Sequence, residues 1–426
     1  MNEKIAQTPP MGWNSWDCYG ASVTEEEVRA NAEYMAKNMK EFGWEYVIVD
    51  IQWYEPNAKL SFYNKFTPLE MDGYSRLIPA VNRFPSSAGG KGFKPLADYV
   101  HGLGLKFGIH IMRGIPRQAA HANTPILGTT ARAREIAHAS SICPWNTDMY
   151  GIDTSREGAQ AYYDSLIQLY ASWGVDYIKV DDMSRPYCLG EVELLRYAID
   201  KSGRDIVLSL SPGPAPIEYA EHMKKHANLW RMTDDYWDQW GYLNDMFDRC
   251  NQWAPHVGPG HWPDADMLPL GHIALRSCEH GVGDRWTRFS RDEQITMMTL
   301  WCIFRSPLMV GCELRDNDEW TLSILTNPEV IRVLKHSHSA RQLYRRGHFN
   351  SDVAWMAADE DGSTYLAVFN TGTVESNMET QHAMLGLEGG CMVRDLWARE
   401  DLGVKTGSVA VKVPSHGARL LKLTKV

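Results

Sequence analysis

The chain has 426 residues, enough for one large domain and a smaller one, and 44% of them are apolar, an ordinary share for a globular protein. Its formal charge of −10 argues against nucleic acid or an anionic membrane surface as its main partner. Residues 1–7 lack the apolar core of a signal peptide, and the longest apolar stretch, near residues 297–304, stops at Arg305 and is too short to span a bilayer. As written, the sequence reads as a soluble cytoplasmic protein, and it carries no information on oligomeric state.

The first two-thirds alternate strand and helix. Residues 11–16 open the series. Thr24 and Glu27 form a capping-box pair, and Val28, Ala32, Met35, Met39 and Phe42 follow at helical spacing until Gly43 ends the helix. Residues 46–50 are a β-branched run closing on Asp50. A helix over 95–103 leads to a strand over 105–111, and a helix over 158–173 leads to a strand over 175–182. A helix over 192–200 and a strand over 205–210 come next, then a helix over 216–225 and a strand over 228–235. The last strands fall at 264–268 and 307–311, separated by a helix around 293–304. Eight such units over about 300 residues predict a (β/α)8 TIM barrel. No glycine-rich phosphate loop follows any strand, which weighs against a dinucleotide-binding sheet.

From about residue 330 the pattern becomes short alternating runs separated by Gly, Asn and Asp turns, at 352–358, 364–370, 392–397, 408–413 and 418–423. This predicts a C-terminal antiparallel β-sandwich. The expected division is a barrel over 1–325 and a sandwich over 326–426, packed together with no flexible linker. Between 111 and 153 lie some 40 residues of weak periodicity; a connection this long is usually functional, and on a barrel it belongs over the C-terminal face.

The eight cysteines are scattered, none in a C-x-x-C pair, so a zinc site of that kind is not expected and they read as reduced thiols. Sixteen tryptophans are more than this length needs. Trp stacks on sugar rings but also fills large cores, and composition does not choose between the two uses.

Two strands end in carboxylates with a cation just upstream. One reads Tyr177-Ile178-Lys179-Val180-Asp181-Asp182, the other Trp230-Arg231-Met232-Thr233-Asp234-Asp235. Lys179 and Asp181 are two apart and share a strand face, so a lysine held against Asp181 would keep it ionised, while Asp182 would point away. Arg231 can clamp a carboxylate or sugar hydroxyls. Spacing does not decide whether Asp234 or Asp235 is the reactive acid. Asp50 and the run Asp264-Ala265-Asp266-Met267 repeat the theme. Carboxylates at four strand ends form a pocket for a polyol or a metal. His110 is the one histidine within a strand run, and no H-x-H or H-E-x-x-H spacing occurs, so the sugar reading is preferred and no metal or cofactor is expected. Paired carboxylates are the minimum equipment for cutting a glycosidic bond.

These residues resemble a known family. Thr8-Pro9-Pro10-Met11-Gly12-Trp13-Asn14-Ser15-Trp16 is similar to the opening signature of glycoside hydrolase family 27, which holds α-galactosidases and α-N-acetylgalactosaminidases. The Asp181 and Asp235 strands, the run 262–268 and Ser306-Pro307-Leu308-Met309 resemble further motifs in order, so the resemblance covers nearly the whole chain. It implies a barrel with a C-terminal sandwich, retention of anomeric configuration, no cofactor, and an oligosaccharide or glycoconjugate substrate. Asp181 matches the nucleophile and Asp235 the acid/base. Trp16, Asp50, Lys179, Arg231 and Asp266 match positions that touch the sugar. A retaining pair should stand roughly 5–5.5 Å apart.

Three positions depart from the family pattern. Two adjacent aspartates usually hold the O4/O6 edge of galactose, but here the pair reads Asp50-Ile51. The third strand usually continues into Tyr-x-Asp, but here it reads His110-Ile111-Met112-Arg113. A glutamate near the 2-hydroxyl is often present in galactosidases, but here Ser211 stands at that turn, as in the N-acetylgalactosaminidase arrangement. The expected activity is therefore exo-hydrolysis of α-galactoside-type sugars, with α-N-acetylgalactosaminidase and β-L-arabinopyranosidase activities as close variants. His110 and Ser211 are expected at the substrate. A non-catalytic carbohydrate-binding protein is the alternative of another class, and the intact pair of acids counts against it.

Overall fold

The structure, a computed structural model, describes residues 5–279, 281–347 and 351–426. Eight short parallel strands form the first sheet: β1 (Met11–Asn14), β2 (Tyr46–Val49), β3 (Lys106–Met112), β4 (Tyr177–Asp181), β5 (Val207–Leu210), β6 (Leu229–Arg231), β7 (Trp262–Asp264) and β8 (Leu308–Val310). They are hydrogen-bonded in the order β7-β6-β5-β4-β3-β2-β1-β8. A parallel bridge from Leu268, just beyond β7, to Val310 joins the two ends of that order and closes the ring. Helices cover the outside of a parallel barrel, so its strands are enclosed on both faces; this is why they read in sequence as apolar runs without alternation.

The helices between the strands include α1 (Glu25–Asn38), α2 (Lys94–Gly102), α3 (Ala159–Trp173), α4 (Leu189–Ser202), α5 (Ala220–His226), α6 (Trp240–Trp253) and α7 (Arg291–Phe304). The predicted capping box is present at α1, where Thr24 accepts from the Glu27 amide and Glu27 accepts from the Thr24 amide. Two strand limits differ from the sequence reading by more than two residues. The sixth strand ends at Arg231, before Asp234 and Asp235. The seventh runs over Trp262–Asp264, not 264–268, because Asp266 adopts φ +79° and turns the chain out of extended geometry. In both places the acids sit in the loop beyond the strand, which aims them at the mouth of the barrel.

Two connections are long. The one after β2 runs to α2 with almost no regular structure. The segment 111–153 folds into a small three-stranded sheet of Ile115–Pro116, Met149–Ile152 and Ala137–Ile142.

A helix over Pro328–His336 leads without a linker into the second sheet. Its strands are β9 (Ser337–Arg346), β10 (Asp352–Asp359), β11 (Thr364–Asn370), β12 (Ser376–Gln381), β13 (Gly390–Asp395), β14 (Glu400–Thr406), β15 (Ser408–Val413) and β16 (Ala418–Lys425). Six of them form an antiparallel sheet in the order β9-β10-β11-β16-β13-β14, and β12 with β15 forms a ribbon over it. The period of two separates the faces. Ala354, Met356, Leu366, Val368, Leu421 and Leu423 pack beneath the ribbon. Val353, Trp355, Ala357, Tyr365, Ala367 and Phe369 face the other way and join the barrel's own core. Trp355 meets Phe304 of α7 edge-on, and Phe369 meets Phe247 of α6. The predicted barrel-plus-sandwich architecture is therefore the observed one.

All eight cysteines are free. Among the described residues, no helix is long and apolar enough to cross a membrane.

Candidate active site

The side chains that follow the C-terminal ends of the barrel strands enclose a cavity of about 600 Å³. This is the face where a barrel carries its chemistry. Strand register explains which side chains meet there. His110 lies opposite Lys179 across the β3/β4 pair, and Lys179 lies opposite Ser209 across β4/β5. These neighbouring positions share one face of the sheet, and from it His110 reaches Asp181 at the end of β4.

Asp181 is held from three sides. His110 Nε2 lies 2.9 Å from Oδ2, Ser211 Oγ donates to Oδ1 at 3.2 Å, and the Asp182 amide donates to Oδ1 at 2.9 Å. Burial alone would raise the pKa of this carboxyl, but the His110 hydrogen bond, the Lys179 charge and the Asp182 amide outweigh it and hold the group below its ordinary value. Asp182 turns away, as expected, to pair with Arg113 at 2.9 Å, and burial pushes it up to about 6.

The lysine does not sit where strand spacing suggests. Lys179 Nζ pairs with Asp50 Oδ2 at 3.0 Å rather than with Asp181, because its long side chain reaches across the barrel to the end of β2. Asp50 also accepts from Asn14 Nδ2 at 2.8 Å and from the Ile51 amide at 2.8 Å, while its own amide donates to Ser15 Oγ at 3.0 Å. Burial would raise Asp50, but Lys179 and these donors hold it well below the usual carboxylate range. Lys179 in turn, although desolvated, is held protonated by Asp50 and Asp181.

The second cluster is built on β6 and β7, where Arg231 lies opposite Asp264. Arg231 Nη2 reaches Asp266 at 2.7 Å and Asp235 at 3.2 Å. Asp266 also accepts from the Tyr236 amide at 2.7 Å, and burial raises its pKa despite Arg231. Asp234 and Asp235 part company here. Asp234 points to the rim in a forked pair with Arg185 at 2.8 and 3.2 Å, whereas Asp235 stays on Arg231.

Trp16, Asp50, Lys179, Asp181, Ser211, Arg231, Asp235 and Asp266 all line the cavity. His110 does not. Its ring is fully buried behind Asp181, with Nδ1 unpaired among the described residues. Of the sixteen tryptophans only Trp16, Trp145 and Trp237 line the cavity, while seven are among the largest fully buried side chains. For most of them the core use wins.

Several lining residues escaped the sequence reading. Tyr63 stacks on Trp16 with centroids 6.2 Å apart and meets Trp145 at 5.7 Å, making an aromatic wall from three separate loops. Trp145 belongs to the long 111–153 segment, whose length was the available signal. Tyr63 lies in the connection after β2, whose equal length carried the same signal. Asp17 is another omission. It lines the cavity, is 2% exposed, and its Oδ2 has no hydrogen-bond partner among the described residues. The side chain lies against Gly311, where any Cβ would come within 2.5 Å of it. Burial, reinforced by Asp266, Asp235 and Asp50, raises its pKa well above the ordinary carboxylate value.

A closed barrel whose mouth holds a sugar-sized cavity lined by both charged and aromatic side chains, with carboxylates delivered from β4 and from the loop after β6, defines a glycoside hydrolase. The chain belongs to the α-galactosidase A family, which it matches over residues 8–157 and 150–336; residues 351–423 match the α-galactosidase C-terminal β-sandwich domain. It is 27% identical over 430 residues to an α-galactosidase of Oryza sativa, covering 99% of this chain and 85% of the rice protein. A β-L-arabinopyranosidase from Geobacillus stearothermophilus superimposes with a TM-score of 0.98 at 61% identity, covering 100% of this chain and 98% of the other. A candidate α-N-acetylgalactosaminidase of Bacillus halodurans is 54% identical, with a TM-score of 0.89 over 98% of this chain and 97% of that one.

Proposed function

We propose that this glycoside hydrolase acts on terminal β-L-arabinopyranosides in preference to α-D-galactosides, by double displacement with Asp181 as nucleophile and Asp235 as acid/base. The two sugars share ring configuration; the arabinopyranoside lacks only the C5 hydroxymethyl group. The observation that carries the preference is Ile51. It is 1% exposed, lines the cavity beside Asp50, and places an apolar side chain where the family's second aspartate holds the O4/O6 edge. A hydroxymethyl group there would lose its charged partner, at a cost of about 1.5–3 kcal/mol, and the similarity to the Geobacillus arabinopyranosidase points the same way.

In the first step Asp181 attacks the anomeric carbon while Asp235 gives its proton to the leaving oxygen. Asp235 then takes a proton from water, which releases the sugar with its configuration retained. Lys179 and His110 keep Asp181 anionic. Arg231 positions Asp235, whose side chain is 62% exposed and so is reached by the water that attacks in the second step.

The test is kcat/KM on nitrophenyl glycosides of β-L-arabinopyranose, α-D-galactose, N-acetyl-α-D-galactosamine and α-D-glucose. The arabinopyranoside should lead the galactoside by roughly 10-fold or more, in line with the lost hydrogen bond, and Ile51→Asp should narrow the gap. A wild-type enzyme that prefers the galactoside would overturn the preference.

A further inference from the structure

Away from the cavity, on the outer helical layer, three side chains from α4 and α5 converge. His222 and His226 stand one turn apart on α5, and Glu193 faces them from α4; their ligand atoms all lie within 4.8 Å of one another. The two imidazoles lie at 4.2 Å between centroids, tilted by 34°. We infer that His222, His226 and Glu193 form a zinc site that clips α4 to α5, with water completing a tetrahedron.

The hydrogen bonds around the rings support this. His226 Nδ1 lies 3.0 Å from the carbonyl oxygen of His222, which can only accept, so Nδ1 carries the proton and Nε2 presents a lone pair. His222 Nδ1 lies 2.8 Å from the Tyr187 hydroxyl. With zinc bound, Nδ1–H of His222 would donate to that hydroxyl and Nε2 would present its lone pair to the ion; Nε2 stands 3.4 Å from a Glu193 carboxylate oxygen. That separation is long for an N–H···O bond, which prefers about 2.7–3.2 Å. It matches the edge of a zinc tetrahedron: with Zn–N near 2.05 Å and Zn–O near 2.1 Å, nitrogen and oxygen stand about 3.4 Å apart. Both imidazoles thus have the outer partner that metal-bound histidines keep, one a backbone carbonyl and the other a hydroxyl. Two imidazoles and a carboxylate are a donor set suited to zinc rather than to magnesium or calcium. Glu193 and His222 are 50% and 16% exposed, so an ion can enter from solvent.

The position gives the clip a purpose. The loop from Asp181 to α4 contains Tyr187, and the loop from Ser211 to α5 contains Tyr219; the two rings pack with centroids 4.8 Å apart. Tyr187 is also the outer partner of His222. A cation here would fasten together the loops that follow Asp181 and Ser211, without touching the cavity. It is a stabilising site and takes no part in bond cleavage.

The experiment uses the full chain, stripped with chelator and then titrated with ZnCl2. Calorimetry should give one Zn2+ per chain with a Kd in the micromolar range or tighter. Zinc at about 100 times Kd should raise Tm by roughly 3–5 °C. Co2+ in its place should give the intense visible absorption of a tetrahedral ion. His226→Ala and Glu193→Gln should each weaken zinc at least tenfold and cut the Tm rise at that zinc concentration to half or less, while glycosidase activity stays at the level of the stripped wild type. Absence of zinc binding, or equal binding by His226→Ala and Glu193→Gln, would overturn the site; the second result would place the ion elsewhere, for instance on the cavity carboxylates.

Discussion

The two walls of the cavity are built on opposite plans. On the β2–β5 side the two strand-end carboxylates are buried and answered: Asp50 by Lys179, Asn14 and backbone, Asp181 by His110, Ser211 and backbone. On the β6 side Asp235 is 62% exposed and rests on one Arg231 contact at 3.2 Å, whereas the Asp181 side chain is 13% exposed. The difference suits two jobs. A nucleophile must stay ionised and fixed, which a dense set of donors in a dry site achieves. An acid that later serves as a base must gain and lose a proton each turnover, which requires contact with water.

The strongest way to break the contrast is to remove the fixed side. Asp181→Ala should lower kcat on the order of 10⁴–10⁶-fold, and azide should restore turnover with inverted configuration, read by NMR of the product. Near-normal rates would end the assignment. Asp235→Asn should cost about 10²–10⁴-fold on substrates with poor leaving groups and much less on activated aryl glycosides; equal losses on both would contradict its role as acid.

Breaking the support instead of the reacting group should move stability. Lys179→Met leaves Asp50 buried without its counter-charge and should destabilise the protein by about 3–5 kcal/mol, measured by denaturant unfolding. Asp50 has a folded pKa below its unfolded one, so its contribution is full above about pH 4 and is lost as pH falls through the folded value. The gap between wild type and variant should therefore be widest at neutral pH and close in acid.

Asp17 gives the smallest effect, and of opposite sign. Its folded pKa is raised, so keeping it in the fold becomes costlier as pH climbs above about 4. Asp17→Asn should raise Tm by roughly 2–4 °C at pH 7 and by less at pH 4. A lower Tm at pH 7 would mean that the carboxylate is paired.

Much of this was legible before the fold was known, and the reasons are local. Apolar runs ending in acid marked the strand ends at Asp50 and Asp181, because a doubly covered parallel strand has one composition throughout and polarity appears only where it reaches the mouth. The family motifs favour Asp235 over Asp234 as the proposed acid/base, a choice that spacing leaves open. What stayed hidden depends on distances across the barrel. Nothing in the sequence says that Lys179 reaches Asp50 or that His110 stands behind Asp181, since those contacts follow from register between strands many residues apart. The aromatic wall of Trp16, Tyr63 and Trp145 was invisible for the same reason: each ring arrives on a different loop. The strands β9, β12 and β14 were missed because exposed edge and ribbon strands carry few apolar residues; β14 reads Glu-Asp-Leu-Gly-Val-Lys-Thr.

The six-stranded sheet has one further consequence. Its barrel-facing side, with Trp355, Tyr365 and Phe369, belongs to the same core as the barrel helices, and the chain enters β9 directly from a helix. The C-terminal region is therefore not a detachable accessory. A barrel cut off at residue 336 would bare the apolar faces of α6 and α7 to water, and recombining this barrel with another family member's sandwich would mean redesigning that seam on both sides.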